Sequence, residues 1–246
     1  TVTYLWSTGA TTESITLAQS DVGSTITVTA SYTDLQLTAE TMTSAATTAV
    51  ANVNDLPTGA VIITGTATED QVLTASNSLA DEDGMTSSTV IYTWSTGATG
   101  DTITLTQSNV GTAITVTATY VDDFSESETM TSTATTAVAN VNDSPTGAVT
   151  ITGTATEDQV LTASNSIADE DGMGTVTYTW SNGATGETIT LAQSDVDSTI
   201  TVTATYEDAQ GTDETMTSAA TTAVVNVNDS PTGSVTIAGT ATEDQV

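Results

Sequence analysis

The sequence has 246 residues, of which 31 are Asp or Glu, and it contains no Lys, Arg, His or Cys, so its formal net charge is −31. Without a cationic side chain the protein cannot neutralise phosphates, which excludes nucleic-acid binding. The same absence removes the usual general bases, the thiol and amine nucleophiles, and zinc sites built on Cys or His. Hard cations that prefer oxygen ligands are the partners that this composition still allows.

Two further classes of protein are disfavoured. No apolar run approaches the ~18 residues of a membrane-spanning helix. Glycoside hydrolysis needs only two carboxylates, but a repeated β module without a cleft-forming insertion argues against it, and we predict that the chain is not an enzyme. The sequence begins with neither Met nor a signal peptide, so we expect it to be an interior stretch of a longer protein.

Three linkers of nearly identical sequence divide the chain. Val-Asn-Asp-Leu-Pro-Thr-Gly at 53–59 returns as Val-Asn-Asp-Ser-Pro-Thr-Gly at 141–147 and 227–233, with offsets of 88 and 86 residues. A repeat of this length matches one independently folding β-sandwich domain. We predict the C-terminal part of a repeat at 1–52, complete repeats at 53–140 and 141–226, and the N-terminal part of another at 227–246.

Within the repeat 53–140 the apolar pattern has the period of β-strands. Residues 113–120 alternate strictly, with Ile114, Val116, Ala118 and Tyr120 on one face and Thr on the other. Short strands separated by Gly, Asn and Asp predict an all-β fold of tandem immunoglobulin-like, cadherin-like sandwiches in an extended linear array. In chain order, the strands are predicted at 60–64, 71–76, 89–94, 101–105, 113–120 and 128–138.

The aromatic residues fit the interior of such a sandwich. Trp6, Trp94 and Trp180 follow the repeat, and each lies in a predicted strand where such domains often bury an indole. We predict that Tyr92, Trp94 and Tyr120 belong to the core. A carbohydrate-stacking platform is the alternative interpretation of the same stripe.

The acidic residues concentrate in the loops at the two ends of each predicted sandwich. The loop after the second strand reads Asp-Glu-Asp-Gly, and an acid follows the penultimate strand at the same end. The opposite end carries Thr-Glu-Asp and a corner residue, and the Asn-Asp of each linker lies between one repeat and the next. The candidate metal ligands are Asp81, Asp83, Asp123, Asp169, Asp171 and Asp208 at the first end, Glu69, Asp70, Glu157, Asp158, Asp21 and Asp195 at the second, and Asn54, Asp55, Asn142, Asp143, Asn228 and Asp229 in the linkers.

Calcium is the ion that these clusters fit. Carboxylates about 4 to 6 Å apart repel one another, so several in one junction would push the domains apart unless a cation intervenes. Ca²⁺ accepts 6–8 oxygen ligands from carboxylates, amides, backbone carbonyls and water. A purely solubilising acidic surface is the alternative interpretation.

The linker, the Asp-x-Asp loop and the opposite Glu-Asp together resemble the calcium junctions of cadherins. The Lys-free repeats with Thr-Ala-Thr-Glu-Asp-Gln-Val and Tyr-Thr-Trp-Ser resemble the extender repeats of giant bacterial adhesins of the RTX type. That resemblance implies secretion to the bacterial cell surface, stiffening by interdomain Ca²⁺, and projection of a distal binding domain in adhesion and biofilm formation. It implies that the second junction draws on Glu69, Asp70, Asn142, Asp143, Asp169, Asp171 and Asp208.

Two alternatives remain open from the residues. The first is a segment of an extracellular matrix or sheath filament in which residues 227–246 of one copy complete the 1–52 half-domain of the next, head to tail. The second is a ligand-binding or carbohydrate-binding sandwich, which an exposed aromatic cluster or a domain that breaks the repeat would favour. In the extender interpretation the partners are the neighbouring repeats of the same chain.

Overall fold

The computed structural model describes residues 1–239 and 241–243, and in these ranges the protein is all-β. Helix is limited to three single 3₁₀ turns, at Gln19–Asp21, Gln107–Asn109 and Gln193–Asp195. No helix in the described part of the chain has the length and apolar character to cross a membrane. The strands are β1 (Thr3–Trp6), β2 (Val28–Thr33), β3 (Ala39–Thr43), β4 (Val61–Thr64), β5 (Val72–Asn77), β6 (Ile91–Trp94), β7 (Thr102–Thr104), β8 (Val116–Val121), β9 (Ser127–Thr131), β10 (Val149–Thr152), β11 (Val160–Asn165), β12 (Thr177–Trp180), β13 (Thr188–Thr190), β14 (Val202–Glu207) and β15 (Asp213–Thr217).

The strands form small antiparallel sheets of three. Residues 1–52 contribute one sheet, in the order β1-β2-β3. The repeat 53–140 has two sheets, β4-β5-β7 and β6-β8-β9, and the repeat 141–226 has the matching pair, β10-β11-β13 and β12-β14-β15. The two sheets of each complete repeat pack face to face, so each complete repeat is a β-sandwich.

The sandwich cores confirm the predicted alternation. In β8, Val116, Ala118 and Tyr120 are buried, while the Thr residues between them are partly exposed. Trp94 and Trp180 are buried in the two cores, and their indole N–H groups donate to the carbonyls of Gly100 and Gly186 at 2.8 Å. The polar edge of each indole is therefore satisfied inside an apolar core.

Threonine pairs bridge the strands on the outer faces of the sheets. The Oγ1 atoms of Thr117 and Thr131 lie 2.8 Å apart, and those of Thr203 and Thr217 lie 2.9 Å apart. Thr favours a pleated, half-buried surface, and paired hydroxyls satisfy each other there without charge.

The predicted strand 128–138 is wrong over its second half. The strand ends at Thr131, because hydroxyl groups take over the bonds that a continuing ladder would make. Ser132 Oγ accepts from the backbone N–H of Val116 at 3.1 Å, and Thr135 Oγ1 accepts from that of Ile114 at 3.0 Å. The same bonds explain why β8 begins at Val116 and not at the predicted residue 113.

The chain divides into two compact units, residues 1–141 and 142–246. The first unit contains the three-stranded sheet of residues 1–52 and the sandwich around Trp94, and the second contains the sandwich around Trp180. The predicted partial repeat 227–246 includes residues 240 and 244–246, which lie outside the described residues. Its described part forms no strand, and Val235 and Ile237 are exposed there.

Candidate metal centre

The Asp-Glu-Asp-Gly loop of the repeat 53–140 is folded by its own carboxylates. Asp81 Oδ1 accepts from the backbone N–H of Asp83 at 2.9 Å, the short-range bond that Asp side chains favour in turns. Gly84 follows with a φ of 89°, a conformation that favours glycine. The linker joins this loop, because the backbone N–H of Asp55 donates to Asp83 Oδ2 at 2.7 Å. Two predicted ligands of the loop and one of the linker are thus brought together.

Tyr120, near the end of β8, lies close to the carboxylates of Asp81, Asp122 and Glu128. Its hydroxyl donates to Asp81 Oδ2 at 2.5 Å. Burial raises the pKa of the Tyr120 phenol, and the hydrogen bond to Asp81 and the charges of Asp81, Glu128 and Asp122 raise that pKa further. The phenol therefore stays neutral and serves as a donor to an acidic pocket.

Asp122 leaves one carboxylate oxygen without a hydrogen bond. Its Oδ1 accepts from the backbone N–H groups of Phe124 at 2.8 Å and Glu126 at 2.9 Å. Its Oδ2 is buried without a hydrogen-bond partner, and the residue is only 5% exposed. Glu128, also buried, accepts from Asn54 Nδ2 at 2.7 Å. A buried carboxylate oxygen without a hydrogen-bond partner is costly, so Asp122 Oδ2 is a candidate ligand atom.

The repeat 141–226 reproduces this arrangement inside the second unit. Asp171 N–H donates to Asp169 Oδ1 at 3.0 Å, and Asp143 N–H donates to Asp171 Oδ2 at 2.7 Å. The Tyr206 hydroxyl donates to Asp169 Oδ2. Asn142 Nδ2 donates to Glu214 Oε1 at 2.9 Å, and Asp208 Oδ2 is buried without a hydrogen-bond partner. The same group of acids around one phenol therefore occurs twice.

Asp123 and Asp208 do not occupy equivalent positions. The residue that matches Asp208 in the repeat 53–140 is Asp122. Asp123 instead accepts from the backbone N–H of Thr86 at 3.1 Å and from its hydroxyl, and these hydrogen bonds lower the pKa of the Asp123 carboxyl. Its ligand role remains a prediction, and Asp122 is the acid that the structure places beside Tyr120.

At the opposite end of each repeat a buried glutamate holds the following linker. Glu69 Oε2 accepts from the backbone N–H of Val141 at 3.2 Å, and Glu157 Oε2 accepts from that of Val227 at 3.0 Å. The neighbouring Asp70 and Asp158 are exposed, with φ values of 61° and 62°. The Glu of each Thr-Glu-Asp motif therefore points inward, and the Asp forms the turn.

The corner aspartates have a local structural role. Asp21 Oδ2 accepts from the backbone N–H of Ala18, and Asp195 Oδ2 from that of Ala192, both at 2.9 Å, so that each closes its 3₁₀ turn. The neutral Asn109 does the same for Thr106 at 3.0 Å. The turn thus needs an oxygen acceptor and not a charge. The ligand role of Asp21 and Asp195 remains a prediction.

The third linker differs from the first two. Asn228 and Asp229 are exposed, and Asn228 Nδ2 donates to the backbone carbonyl of Asp229 at 3.4 Å. Among the described residues, the contacts of Asn54 and Asn142 have no counterpart at this linker.

Sequence reasoning missed Asp122, Glu128, Glu214 and the phenols as members of the cluster. The signal was present in the repeats, because Glu-Thr-Met-Thr recurs at residues 40–43, 128–131 and 214–217. From the sequence alone, the motif predicts only a strand. Its glutamate lies at the end of the strand nearest the acidic loop, where a carboxylate reaches the cluster.

The chemistry of the cluster follows from the composition. Eight carboxylates are buried in the described residues: Glu69, Asp83, Asp122, Glu128, Glu157, Asp171, Asp195 and Asp208. Buried charges are normally paired or coordinate metals, but the sequence contains no Lys, Arg or His to pair with them. Backbone and side-chain N–H groups are thus the donors that the described residues offer these carboxylates. A set of carboxylate and amide oxygens is the kind of ligand that Ca²⁺ prefers.

No protein-family model matches the chain, and no curated protein matches it. Among solved structures the chain is similar to the crystal structure of a tetra-tandem repeat in the extending region of a large adhesion protein. The two are 18% identical, the TM-score is 0.31, and the match covers 90% of this chain and 66% of the other.

Proposed function

We propose that this chain is a spacer segment of a large bacterial surface adhesin, stiffened by Ca²⁺ at its domain junctions so that a distal binding domain is held away from the cell. The single observation that carries the proposal is the buried, unpartnered carboxylate oxygen of Asp122, repeated at Asp208, in a chain that has no cationic side chain. The role is mechanical and not catalytic.

The ligands that we propose come from one end of each sandwich and the linker that enters it. In the repeat 53–140 these are Asp81, Asp83 and Asp122, with the amide oxygen of Asn54 and the carboxylate of Asp55. Glu128 lies against the same group through its bond to Asn54. Such a set supplies the carboxylate and amide oxygens that Ca²⁺ requires, and water completes its 6–8 ligands.

The linker explains how an ion would stiffen the chain. Asp55 belongs to the linker and already bonds to Asp83 in the loop of the next sandwich, so an ion shared by these carboxylates would restrict the linker backbone. The linker 141–147 has the same sequence features, and we propose the same role for it, with Asn142, Asp143 and Asp171 among its ligands. Extracellular calcium modules bind at roughly 10⁻⁴–10⁻³ M, which suits a secreted protein in millimolar calcium.

The test is thermal melting and small-angle scattering of the whole chain in Ca²⁺, in Mg²⁺ and in EDTA. An ion that binds only the folded state stabilises by about 2.7 kcal/mol at 100 times its dissociation constant, so we expect a higher melting temperature and a larger maximum dimension in Ca²⁺. An unchanged melting temperature and dimension would refute the proposal.

A pair of double variants makes the test specific for the cluster. Asp122→Asn with Asp208→Asn removes the two carboxylate oxygens that have no hydrogen-bond partner, and we expect it to abolish most of the calcium response. Asp101→Asn with Glu187→Gln removes the same total charge at two exposed residues and serves as the control. If both double variants lose the response equally, the ion is held by overall charge and not by this site.

A further inference from the structure

A glutamine links the first sheet of the chain to the next sandwich within the unit 1–141. Gln19 lies in the 3₁₀ turn at the end of the first repeat, and its Nε2 donates to Asp83 Oδ1 at 2.7 Å. Asp83 is almost completely buried in the acidic loop of the following repeat. A neutral amide is thus bonded directly to a carboxylate on the far side of the linker.

The amide is positioned for this bond by its own repeat. The same Nε2 also donates to Asn52 Oδ1 at 3.0 Å, so both of its N–H groups have an acceptor. Gln193 makes the matching bond to Asn226, also at 3.0 Å. Glutamine and asparagine recur 33 residues apart in every repeat, at Gln19 and Asn52, Gln107 and Asn140, and Gln193 and Asn226. The bond between the pair is made at Gln19 and Gln193, whereas Asn140 Oδ1 is buried without a hydrogen-bond partner. At Gln19 the amide also donates to the next domain.

From these contacts we infer that Gln19 is the positioning residue of a metal-independent latch that holds the first two repeats in register. The two oxygens of Asp83 are divided between the preceding repeat and the linker, since Oδ1 accepts from Gln19 and Oδ2 from the backbone N–H of Asp55. A hydrogen bond to a charged, buried acceptor is among the stronger ones in proteins. The latch stands apart from the calcium proposal, because it needs no ion.

With this latch, the junction between the first two repeats assembles in two steps. Without calcium the amide keeps Asp83 bonded across the first linker and limits how far the first two repeats move apart, and the ion restricts the motion that remains. Calcium then binds to a set of ligands that is already assembled, which lowers the ordering cost of binding. The amide adds no charge to a chain that is already strongly anionic, whereas a carboxylate at the same position would repel Asp83.

The test measures the distance between the two repeats in EDTA. The chain has no cysteine, so Ser14→Cys and Ala134→Cys, both at exposed positions, place one spin label on each repeat of the full chain. We expect a narrow distance distribution for the parent chain. Gln19→Ala broadens it, with an increase of about tenfold in the open population, as loss of a bond to a charged acceptor supports.

Two further variants make the test decisive. Gln193→Ala removes the equivalent amide of the second unit, and it leaves the distribution between the first two repeats unchanged. Gln19→Glu places a carboxylate against Asp83, so it gives the broadest distribution in EDTA and recovers a narrow one in Ca²⁺. Circular dichroism of each variant confirms that the sheets remain folded.

The latch is overturned if Gln19→Ala and the parent chain have the same distribution in EDTA, or if Gln193→Ala broadens it equally. Failure of the calcium proposal gives a different result. In that case Gln19→Glu stays broad in Ca²⁺, while the difference between the parent chain and Gln19→Ala in EDTA persists.

Discussion

The acidic ends of the repeats 53–140 and 141–226 are nearly the same structure built twice. Tyr120 and Tyr206 bond to equivalent aspartates, and Asp122 and Asp208 each keep one buried oxygen without a hydrogen bond. The differences at these ends lie outside this group: Asp123 is replaced by Ala209, and the segment from Gly172 to Trp180 is two residues shorter than that from Gly84 to Trp94. The comparison separates the acids that both repeats retain, which form the candidate site, from those that one repeat can lose.

The opposite ends show what the repeats tolerate. Asn109 and Asp195 close the same 3₁₀ turn, although only one of them carries a charge. Gly111, with a φ of 75°, is replaced by Asp197, with a φ of 62°. This end therefore requires hydrogen-bond geometry and an unusual backbone conformation, whereas the acidic end keeps its carboxylates in both repeats.

The largest expected effect tests whether the two cores are equally packed. Leu105 is 0% exposed and Leu191 is 1% exposed. Changing either to Ala removes contacts that the rigid sheets cannot replace, so we expect each variant to lose about 2–5 kcal/mol of unfolding free energy. Urea denaturation followed by Trp fluorescence measures the loss. Leu17 is the matched control, because it occupies the same place in the first repeat but is 44% exposed, and a loss as large as that of Leu105→Ala would contradict the comparison.

A smaller effect on the unfolding free energy is expected at Gly111 and Asp197, where the backbone has a positive φ. A side chain in that conformation carries a steric cost that glycine avoids, so Asp197→Gly stabilises the second unit by about 1 kcal/mol, and Gly111→Asp destabilises the first by a similar amount. The backbone N–H of each residue bonds to a carbonyl, Asp197 to Val224 and Gly111 to Val138, so the fold of the loop is retained. Urea midpoints of the two variants measure the effect, and a change of the same sign in both would rule out this explanation.

The smallest effect concerns the pH dependence of stability at Asp123, an acid that the repeat 141–226 lacks. The hydrogen bonds from Thr86 lower the pKa of Asp123 in the folded chain. The ionised form is thus favoured by folding, so this contribution is complete above the ordinary carboxyl pKa of about 4 and is lost as the pH falls through the lowered value. Thr86→Val removes the hydroxyl donor. We expect it to be less stable than the parent chain at neutral pH and to converge with it below the folded pKa, as melting curves at pH 2 to 7 would show. A difference that is independent of pH would assign the effect to packing.

Much of the fold could be predicted from apolar periodicity. The alternation in β8 places Val116, Ala118 and Tyr120 on the buried face, and Trp94 and Trp180 are in the cores as expected. The end of β9 could not be predicted in this way. Its continuation has strand-like composition, and only the three-dimensional structure shows that the hydroxyls of Ser132 and Thr135 replace the ladder bonds.

The candidate site could be predicted in part. The Asp-x-Asp loop and the linker Asn-Asp lie together as their positions in the repeats suggested, with Asp55 bonded to Asp83. Asp122 and Asp123 are adjacent at the end of β8, and their side chains point in different directions. The sequence does not show which of the two points toward the cluster. Glu128 was missed because it lies within a strand, where a charged residue at an alternating position is normally assigned to the solvent face.

The threonine pairs on the outer sheet faces affect how strongly two sandwiches repel each other when they meet side by side. Thr117 bonds to Thr131, and Thr203 bonds to Thr217, through their hydroxyl groups. These faces of the two sandwiches therefore present polar groups that carry no charge. The β-branched threonine side chains have few rotamers to lose. Two sandwiches that meet flank to flank therefore repel each other less than two that meet at their acidic ends.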